Sequence, residues 1–316
     1  MNHAQEKACN QAQPKTPLVV RIATEFVATA LAMFIIYTFY SLATAMYGIN
    51  ILLIAVGTGV AYSAATSIAA KISGGHLNPA VTVASMLTGR TPYVAGIGYI
   101  VAQILGSLAA AGVFVFVLPQ TKLVKDVNWF APVVNGFEKA SLSANQLKSV
   151  NASFGVITAL VVEVIAVLLI VAVAMNRTDD NGNARCGYAT NMGIAYAAST
   201  LITYQITGSG LNPARSTGIA VIASSRDLEV KPLSQLWAFW IAPIFAAALV
   251  GFVMLITKLL TDSAQNLAES NKTINAETVT TALPVTNEAS AAVQPETNAY
   301  TSAEVFNNAT ENNLLA

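Results

Sequence analysis

The chain contains one short phrase twice, first as Gly74-Gly75-His76-Leu77-Asn78-Pro79-Ala80-Val81-Thr82 and again as Gly208-Ser209-Gly210-Leu211-Asn212-Pro213-Ala214-Arg215-Ser216. In each copy an Asn precedes a Pro. This order is typical of a helix start, because Asn caps the first turn and Pro needs no hydrogen-bond partner at the first helical position. Since both copies lie at the edge of long apolar stretches, we predict two capped helix starts inside an apolar protein.

The composition is typical of a membrane protein. Of 316 residues, 54% are apolar and 10% are charged, whereas soluble domains average about 25% charged residues. The formal net charge is zero, so the charge balance gives no reason to expect a nucleic-acid partner. We therefore expect a multi-pass integral membrane protein whose surroundings are lipid.

Several apolar stretches are near the roughly 20 residues that a helix needs to cross a bilayer. They cover about residues 18–40, 50–70, 92–118, 153–175, 187–206 and 236–260. The apolar runs that follow Asn78 and Asn212 are much shorter, which is typical of re-entrant segments. We predict an all-α membrane protein with six transmembrane helices and two re-entrant half-helices.

The two halves of the chain repeat one order of features. Each half has a span with a glutamate, Glu25 or Glu163, then a second span, a half-helix that begins at Asn, and a third span. With three spans per half, the second half must insert upside down relative to the first. This is the inverted-repeat architecture of many transport proteins.

The predicted domains follow from this repeat. Lys and Arg are slightly more frequent on the side of the termini, which favours cytoplasmic termini. We expect a channel domain over 18–260, with repeat halves at about 18–118 and 153–260, and disordered cytoplasmic tails at 1–17 and 261–316. Both the plasma membrane and an intracellular vesicle or vacuole membrane fit this pattern.

Two inverted half-helices would meet N-terminus to N-terminus near the middle of the membrane. Each N-terminus carries roughly half a positive charge and unpaired N–H groups. The meeting point would therefore repel cations and protons and offer donors to the oxygen of a water molecule. Asn78 and Asn212 would add side-chain donors there.

The two phrases resemble the signature loops of the aquaporin, or major intrinsic protein, family, and the resemblance covers about residues 18–260. It implies a passive channel without a cofactor, with one pore per protomer and usually a homotetramer. The residues that it places at the pore midplane are Asn78, Pro79, Ala80, Asn212, Pro213 and Ala214.

The resemblance also assigns an outer constriction to Thr58, Thr200, Ser209 and Arg215. Water-selective relatives usually have an aromatic residue and a histidine at the two threonine positions, so we expect a wider, polar ring here. Glycerol-conducting relatives usually have Asp after the arginine, where this chain has Ser216, and this favours water. The resemblance thus implies water as the first permeant, with glycerol, urea or ammonia as the alternative.

The remaining polar residues of the apolar region are predicted to be structural. We expect Glu25 and Glu163 to accept hydrogen bonds from loop N–H groups, and the alternative is a proton relay in a coupled transporter. His76 is expected to line the inner vestibule or brace its loop. No second His or Cys stands at ligand spacing, so no metal site is predicted.

Three positions are candidates for modification or gating. Asn151-Ala152-Ser153 is a glycosylation sequon on the predicted outer side. Thr178, in the charged loop over 177–185, is a candidate phosphorylation site. Tyr188, after this loop, is expected to have a packing role, and a plug of the inner mouth is the alternative. A junction protein with a shut pore is a further alternative, whereas an enzyme is not expected, because no nucleophile–base or metal constellation is visible.

Overall fold

A computed structural model describes residues 16–119 and 124–280, and it describes side chains in the last helix only as far as residue 267. Close contacts divide the chain into two units, Met1–Asp262 and Ser263–Ala316. Most of the tail predicted at 1–17, and everything after residue 280, lies outside the described residues.

The described residues are almost entirely helical. The long helices are α1 (Leu18–Tyr47), α2 (Ile51–Ala69), α4 (Tyr93–Val117), α7 (Val156–Asn176), α8 (Tyr188–Thr207) and α11 (Ala238–Thr280). The two half-helices are α3 (Pro79–Leu87) and α9 (Pro213–Ala223). Short helices fill the longer connections: α5 (Asp126–Phe130), a 3₁₀ turn (Glu138–Ala140), α6 (Ala144–Lys148) and α10 (Pro232–Gln235).

The long helices pack in pairs through small residues. Helix α1 packs on α4, and α2 packs on α8. The second pair is in backbone contact, because a Cβ added to Gly59 would lie 2.6 Å from the carbonyl oxygen of Gly193. Helices in lipid use such residues to bring their backbones together, and here the contact sets the distance between the side chains that follow in each helix.

Both half-helices begin as the phrase predicts. Asn78 and Asn212 have extended backbones, and the side-chain oxygen of each accepts a hydrogen bond from the first turn. Pro follows each Asn, where its missing N–H leaves no donor unsatisfied. The helix α3 ends at Leu87, just before Gly89 takes a left-handed backbone (φ 74°) that turns the chain back.

One predicted span is less apolar than the other long helices. This fifth span forms a 20-residue helix, α8, but it is not among the five described helices that are long and apolar enough to cross a membrane. Its buried face carries Tyr196, Thr200 and Thr203, and these polar side chains lower its hydropathy.

The disordered tail predicted from residue 261 begins as helix, because α11 continues to Thr280. No Pro or Gly occurs between Gly251 and Pro284 to stop it. In the connection between the two repeats, Trp129 and Phe130 are buried in the helix bundle.

Candidate functional site

The two asparagines join the half-helices at what we call the asparagine site: Asn78, Asn212 and the loops that precede them. Asn78 Nδ2 donates to the carbonyl oxygen of Leu211 at 2.9 Å, and Asn212 Nδ2 donates to that of Leu77 at 2.7 Å. Each asparagine also accepts from its own helix, at Ala80 N (2.8 Å) or Ala214 N (2.9 Å). The N-termini of both half-helices therefore meet at one point in the protein.

Each loop is held by one glutamate. Glu25 accepts from His76 N (2.9 Å) and Leu77 N (2.8 Å), and it also accepts from Ser73 Oγ and Gln103 Nε2. Glu163 accepts from Gly210 N (2.8 Å), Leu211 N (2.7 Å) and Thr207 Oγ1 (2.5 Å). Both carboxyl groups are buried, and these donors satisfy them.

The glutamates also stabilise an unfavourable backbone conformation. Leu77 and Leu211 have φ values of 51° and 55°, in the left-handed region, which costs a non-glycine residue about 1–2 kcal/mol. In each leucine the N–H donates to a glutamate and the carbonyl oxygen accepts from the opposite asparagine. These bonds hold both loops in the one geometry that aims the asparagines at each other.

A pair of tyrosines occupies the open side of the asparagine site. Tyr62 of α2 and Tyr196 of α8 stack face to face, with ring centroids 3.3 Å apart and planes at 2°. Asn212 Nδ2 donates to the Tyr62 hydroxyl at 3.0 Å, and Asn78 Nδ2 donates to the Tyr196 hydroxyl at 2.8 Å. Because an amide NH₂ has two donors, both side-chain N–H groups of each asparagine are in use.

The four residues assigned to the outer constriction lie together, at what we call the arginine site: Thr58, Thr200, Ser209 and Arg215. All four are buried. Tyr40 of α1 lies among them. Its hydroxyl shares a 2.7 Å hydrogen bond with Thr58 and lies close to Thr200 and Ser209. Its ring centroid is 5.4 Å from the Arg215 guanidinium carbon, in a cation–π contact.

The wide polar ring that the sequence predicted is therefore partly filled. Tyr40 occupies space that the two small threonines leave, and the cavity that remains beside Arg215 is about 10 Å³, about the volume that holds one water molecule. Within the described residues, Thr200 Oγ1 and Arg215 Nη2 are buried without a hydrogen-bond partner. Such atoms are favourable contacts for a small polar molecule.

Asn135 orients the arginine from the connection between the two repeats. Its side-chain oxygen accepts from Arg215 Nη1 and, at 2.8 Å, from Ser216 Oγ. Its Nδ2 donates to the carbonyl oxygens of Thr207 and Gly208 at 3.2 and 2.9 Å. The Arg215 guanidinium group is thus fixed by Asn135, which is itself anchored to the loop that precedes Asn212.

The other predicted residues lie near the charged loop or at the surface. His76 is buried, 3.1 Å from Thr82 Oγ1 through its Nδ1, and its ring meets Tyr99 edge-on. The Tyr188 hydroxyl donates to the carbonyl oxygen of Gly75 at 3.2 Å, so its side chain packs against the loop that precedes Asn78. Asn151 is exposed and has a left-handed backbone (φ 54°).

Thr178 is buried in the charged loop, so its hydroxyl is not exposed to a modifying enzyme. It accepts from Arg90 Nη1 at 2.8 Å, and Arg90 forms an ion pair with Asp180 at 3.7 Å. Burial raises the pKa of the neighbouring Asp179 carboxyl, but hydrogen bonds from Asn183 and Asn181 outweigh it, so this pKa lies below its ordinary value.

Four residues that form contacts at the asparagine site or the arginine site were not predicted from the sequence: Tyr40, Tyr62, Tyr196 and Asn135. The tyrosine pair had a signal in the sequence, because Tyr62 precedes Asn78 by as many residues as Tyr196 precedes Asn212. Tyr62 also lies four residues after Thr58 and so on the same helix face. Asn135 had no comparable signal, because its contacts with Arg215 depend on how the connection folds.

Comparison with known proteins identifies this architecture. The model of the family described as major intrinsic protein matches residues 13–254. The chain belongs to the major intrinsic protein family. The family consists of channels rather than enzymes, and membership together with the apolar helices makes this chain a multi-pass integral membrane protein.

Among curated members of the major intrinsic protein family, the chain is 30% identical to Aquaporin Z of Brucella melitensis biotype 1, over 64% of this chain and 81% of that protein. It is 32% identical to a probable aquaporin PIP2-4 of Arabidopsis thaliana, over 75% of this chain and 79% of that protein. The X-ray structure of the aquaglyceroporin from Plasmodium falciparum shares the fold, with a TM-score of 0.56 and 20% identity over 74% of this chain and 94% of that one.

Proposed function

We propose that the protein is a passive channel for water, with one pore per protomer, and that the pore excludes protons and other ions. The observation that carries this proposal is the meeting of two helix N-termini at Asn78 and Asn212, beside the buried Arg215. Two positive helix ends and a guanidinium group together oppose the passage of any cation. A neutral molecule with an oxygen acceptor meets no such barrier.

The contacts of the glutamates favour a passive channel over the proton-coupled alternative. A proton relay needs a carboxyl group that exchanges protons with a water path or with a second carrier. Glu25 and Glu163 are instead enclosed by loop N–H groups and neighbouring side chains. Protonation would remove acceptors from the loops, so their role is to hold the half-helix starts.

The size of the arginine site favours water over larger solutes. The cavity beside Arg215 is about 10 Å³ and is bounded by Tyr40, Thr58 and Ser209, so in this conformation it suits a water molecule better than glycerol or urea. Because the threonines at positions 58 and 200 are small, movement of Tyr40 would widen it. Small neutral solutes are therefore the second candidate permeants.

We extend the proposal to the assembly. The channel domain spans 18–260, forms a homotetramer in lipid, and has cytoplasmic termini and a glycosylation site at Asn151. Large apolar side chains such as Phe116, Ile157 and Phe252 are exposed on the described helices, and lipid or a neighbouring subunit would cover them. Mass measurement of the purified protein in detergent tests the tetramer.

The permeability of reconstituted vesicles tests the function. Purified protein in liposomes is exposed to an osmotic gradient, and the rate of shrinkage is followed by light scattering. We expect faster shrinkage than in empty liposomes with the same lipid, and slower entry of glycerol and urea than of water. Glycerol entry that matches water entry would favour the second candidate function.

A further inference from the structure

We propose that Tyr62 and Tyr196 control permeation by filling the asparagine site as a paired plug, which a permeant must displace. This inference rests on the proposed function, because it assigns a control element to the same pore. The two tyrosines are buried at 2% and 1% exposure, and they come from the two helices that face the half-helix starts.

The hydrogen bonds of the pair are those that a permeating molecule would make. A phenol hydroxyl accepts a hydrogen bond through an oxygen, as water does. The Tyr62 and Tyr196 hydroxyls accept from Asn212 and Asn78, whose remaining N–H groups go to backbone carbonyl oxygens. A water or solute oxygen can bind an asparagine here only after a tyrosine hydroxyl leaves.

The rings fill the space as well as the hydrogen-bond positions. Backbone contact between Gly59 and Gly193 brings α2 and α8 together, and each tyrosine follows its glycine by three residues, one helical turn on. The rings therefore lie face to face at 3.3 Å, with no room for a molecule between them. The small cavity beside Arg215 is lined by Tyr62 on one side, so the plug lies next to the arginine site.

The arrangement can also open. Face-to-face stacking is less favourable for aromatic rings than offset or edge-to-face contact, so hydrogen bonds and packing hold the rings in register. Rotation of either tyrosine side chain would free a side-chain N–H of one asparagine and would open part of the permeation path. Permeation would then require a minor conformation whose population limits the flux.

The test compares the water permeability of four chains in liposomes at equal protein content. They are the wild type, the double variant Tyr62→Val with Tyr196→Val, the double variant Tyr62→Phe with Tyr196→Phe, and the control Tyr93→Val, which alters an exposed tyrosine. We expect the valine variant to conduct at least about tenfold more water than the wild type, as for a channel open less than about one-tenth of the time. The phenylalanine variant, which keeps the rings but loses the hydroxyls, should lie between them, and the control should match the wild type.

The outcomes separate this inference from the proposed function. If the double variants and the wild type conduct equally, and all exceed empty liposomes, the plug is refuted and the channel stands. If every chain equals empty liposomes for water, glycerol and urea, the channel itself is refuted, and the plug with it. Should the valine variant elute as aggregate, the phenylalanine variant decides: a rise supports the plug, and the wild-type rate overturns it.

Discussion

The side-chain amide of Asn212 donates a 2.7 Å hydrogen bond to the carbonyl oxygen of Leu77, across the boundary between the two repeats. Asn78 makes the equivalent bond to Leu211 at 2.9 Å. Each asparagine thus caps its own half-helix and anchors the loop of the other. The site depends on both halves, so a change in the packing of one half is expected to affect the geometry of the other.

The backbone contact between α2 and α8 predicts a severe effect of Gly193→Ala. The new Cβ would lie 2.5 Å from the carbonyl oxygen of Gly59, and overpacking of this kind costs about 1–3 kcal/mol. We expect a lower thermal unfolding temperature in detergent. The matched control is Gly112→Ala in α4, where a Cβ would meet no atom within 4 Å, and where alanine should be neutral or slightly stabilising. Equal effects of the two substitutions would argue against the close contact.

Glu163→Gln should destabilise the loop that precedes Asn212. The glutamine amide would turn an N–H₂ group toward the N–H of Gly210 or Leu211, both of which now donate to the carboxylate. A buried donor without an acceptor costs about 1–3 kcal/mol, so the unfolding temperature and the water permeability should both fall.

The exposed Glu138→Gln is the control for Glu163→Gln and should change neither quantity. Transport measured with and without a pH gradient adds a second comparison. A Glu163→Gln protein of wild-type stability that lost only a response to the pH gradient would support the proton-coupled alternative instead.

Asn135→Ala is predicted to make the side chain of Arg215 more mobile. Arg215 Nη1 and Ser216 Oγ would lose their shared acceptor, and a hydrogen bond to a charged group contributes about 1.5–3 kcal/mol. With the guanidinium group free to move, we expect glycerol entry to increase relative to water entry. Asn128→Ala, at an exposed position of α5, serves as the control, and an unchanged glycerol-to-water ratio in Asn135→Ala would show that Arg215 is held by other contacts.

Ser209→Cys should make the channel sensitive to thiol reagents. Ser209 lines the small cavity beside Arg215, and its hydroxyl accepts from Thr203 Oγ1 at 3.0 Å. A mercurial attached there would fill the cavity and block water flow, and a reducing thiol would restore it. The wild type treated with the same reagent gives the baseline, and a modified but fully conducting variant would place Ser209 off the path.

The fold could be predicted from the sequence because its main signals are local. Asn-Pro at each half-helix start, the lengths of the apolar spans and the repeated glutamates each act within a few residues or recur at similar spacing. The least apolar span, α8, was still recognisable from its length and its place in the repeat, although the polar face that carries Tyr196 lowers its hydropathy.

The parts of the site that were not predicted depend on packing between distant segments. Tyr40 reaches the arginine site only because α1 packs beside α2, where its hydroxyl meets Thr58. Asn135 reaches Arg215 because the connection between the repeats folds inward. The predicted constriction did not include Tyr40, because the resemblance assigned only four positions to it and none of the four lies in α1.

The central claim is that water passes this protein while protons do not. Its most direct measurement combines stopped-flow light scattering with a pH-sensitive dye inside the same proteoliposomes. We predict shrinkage faster than that of empty liposomes under an osmotic gradient, with an internal pH that changes no faster than theirs under an imposed pH gradient, because the helix ends at Asn78 and Asn212 and the charge of Arg215 oppose cations. Water flow at the rate of empty liposomes, in both the wild type and the Tyr62→Val with Tyr196→Val variant, or rapid acidification through the wild type, would contradict the account.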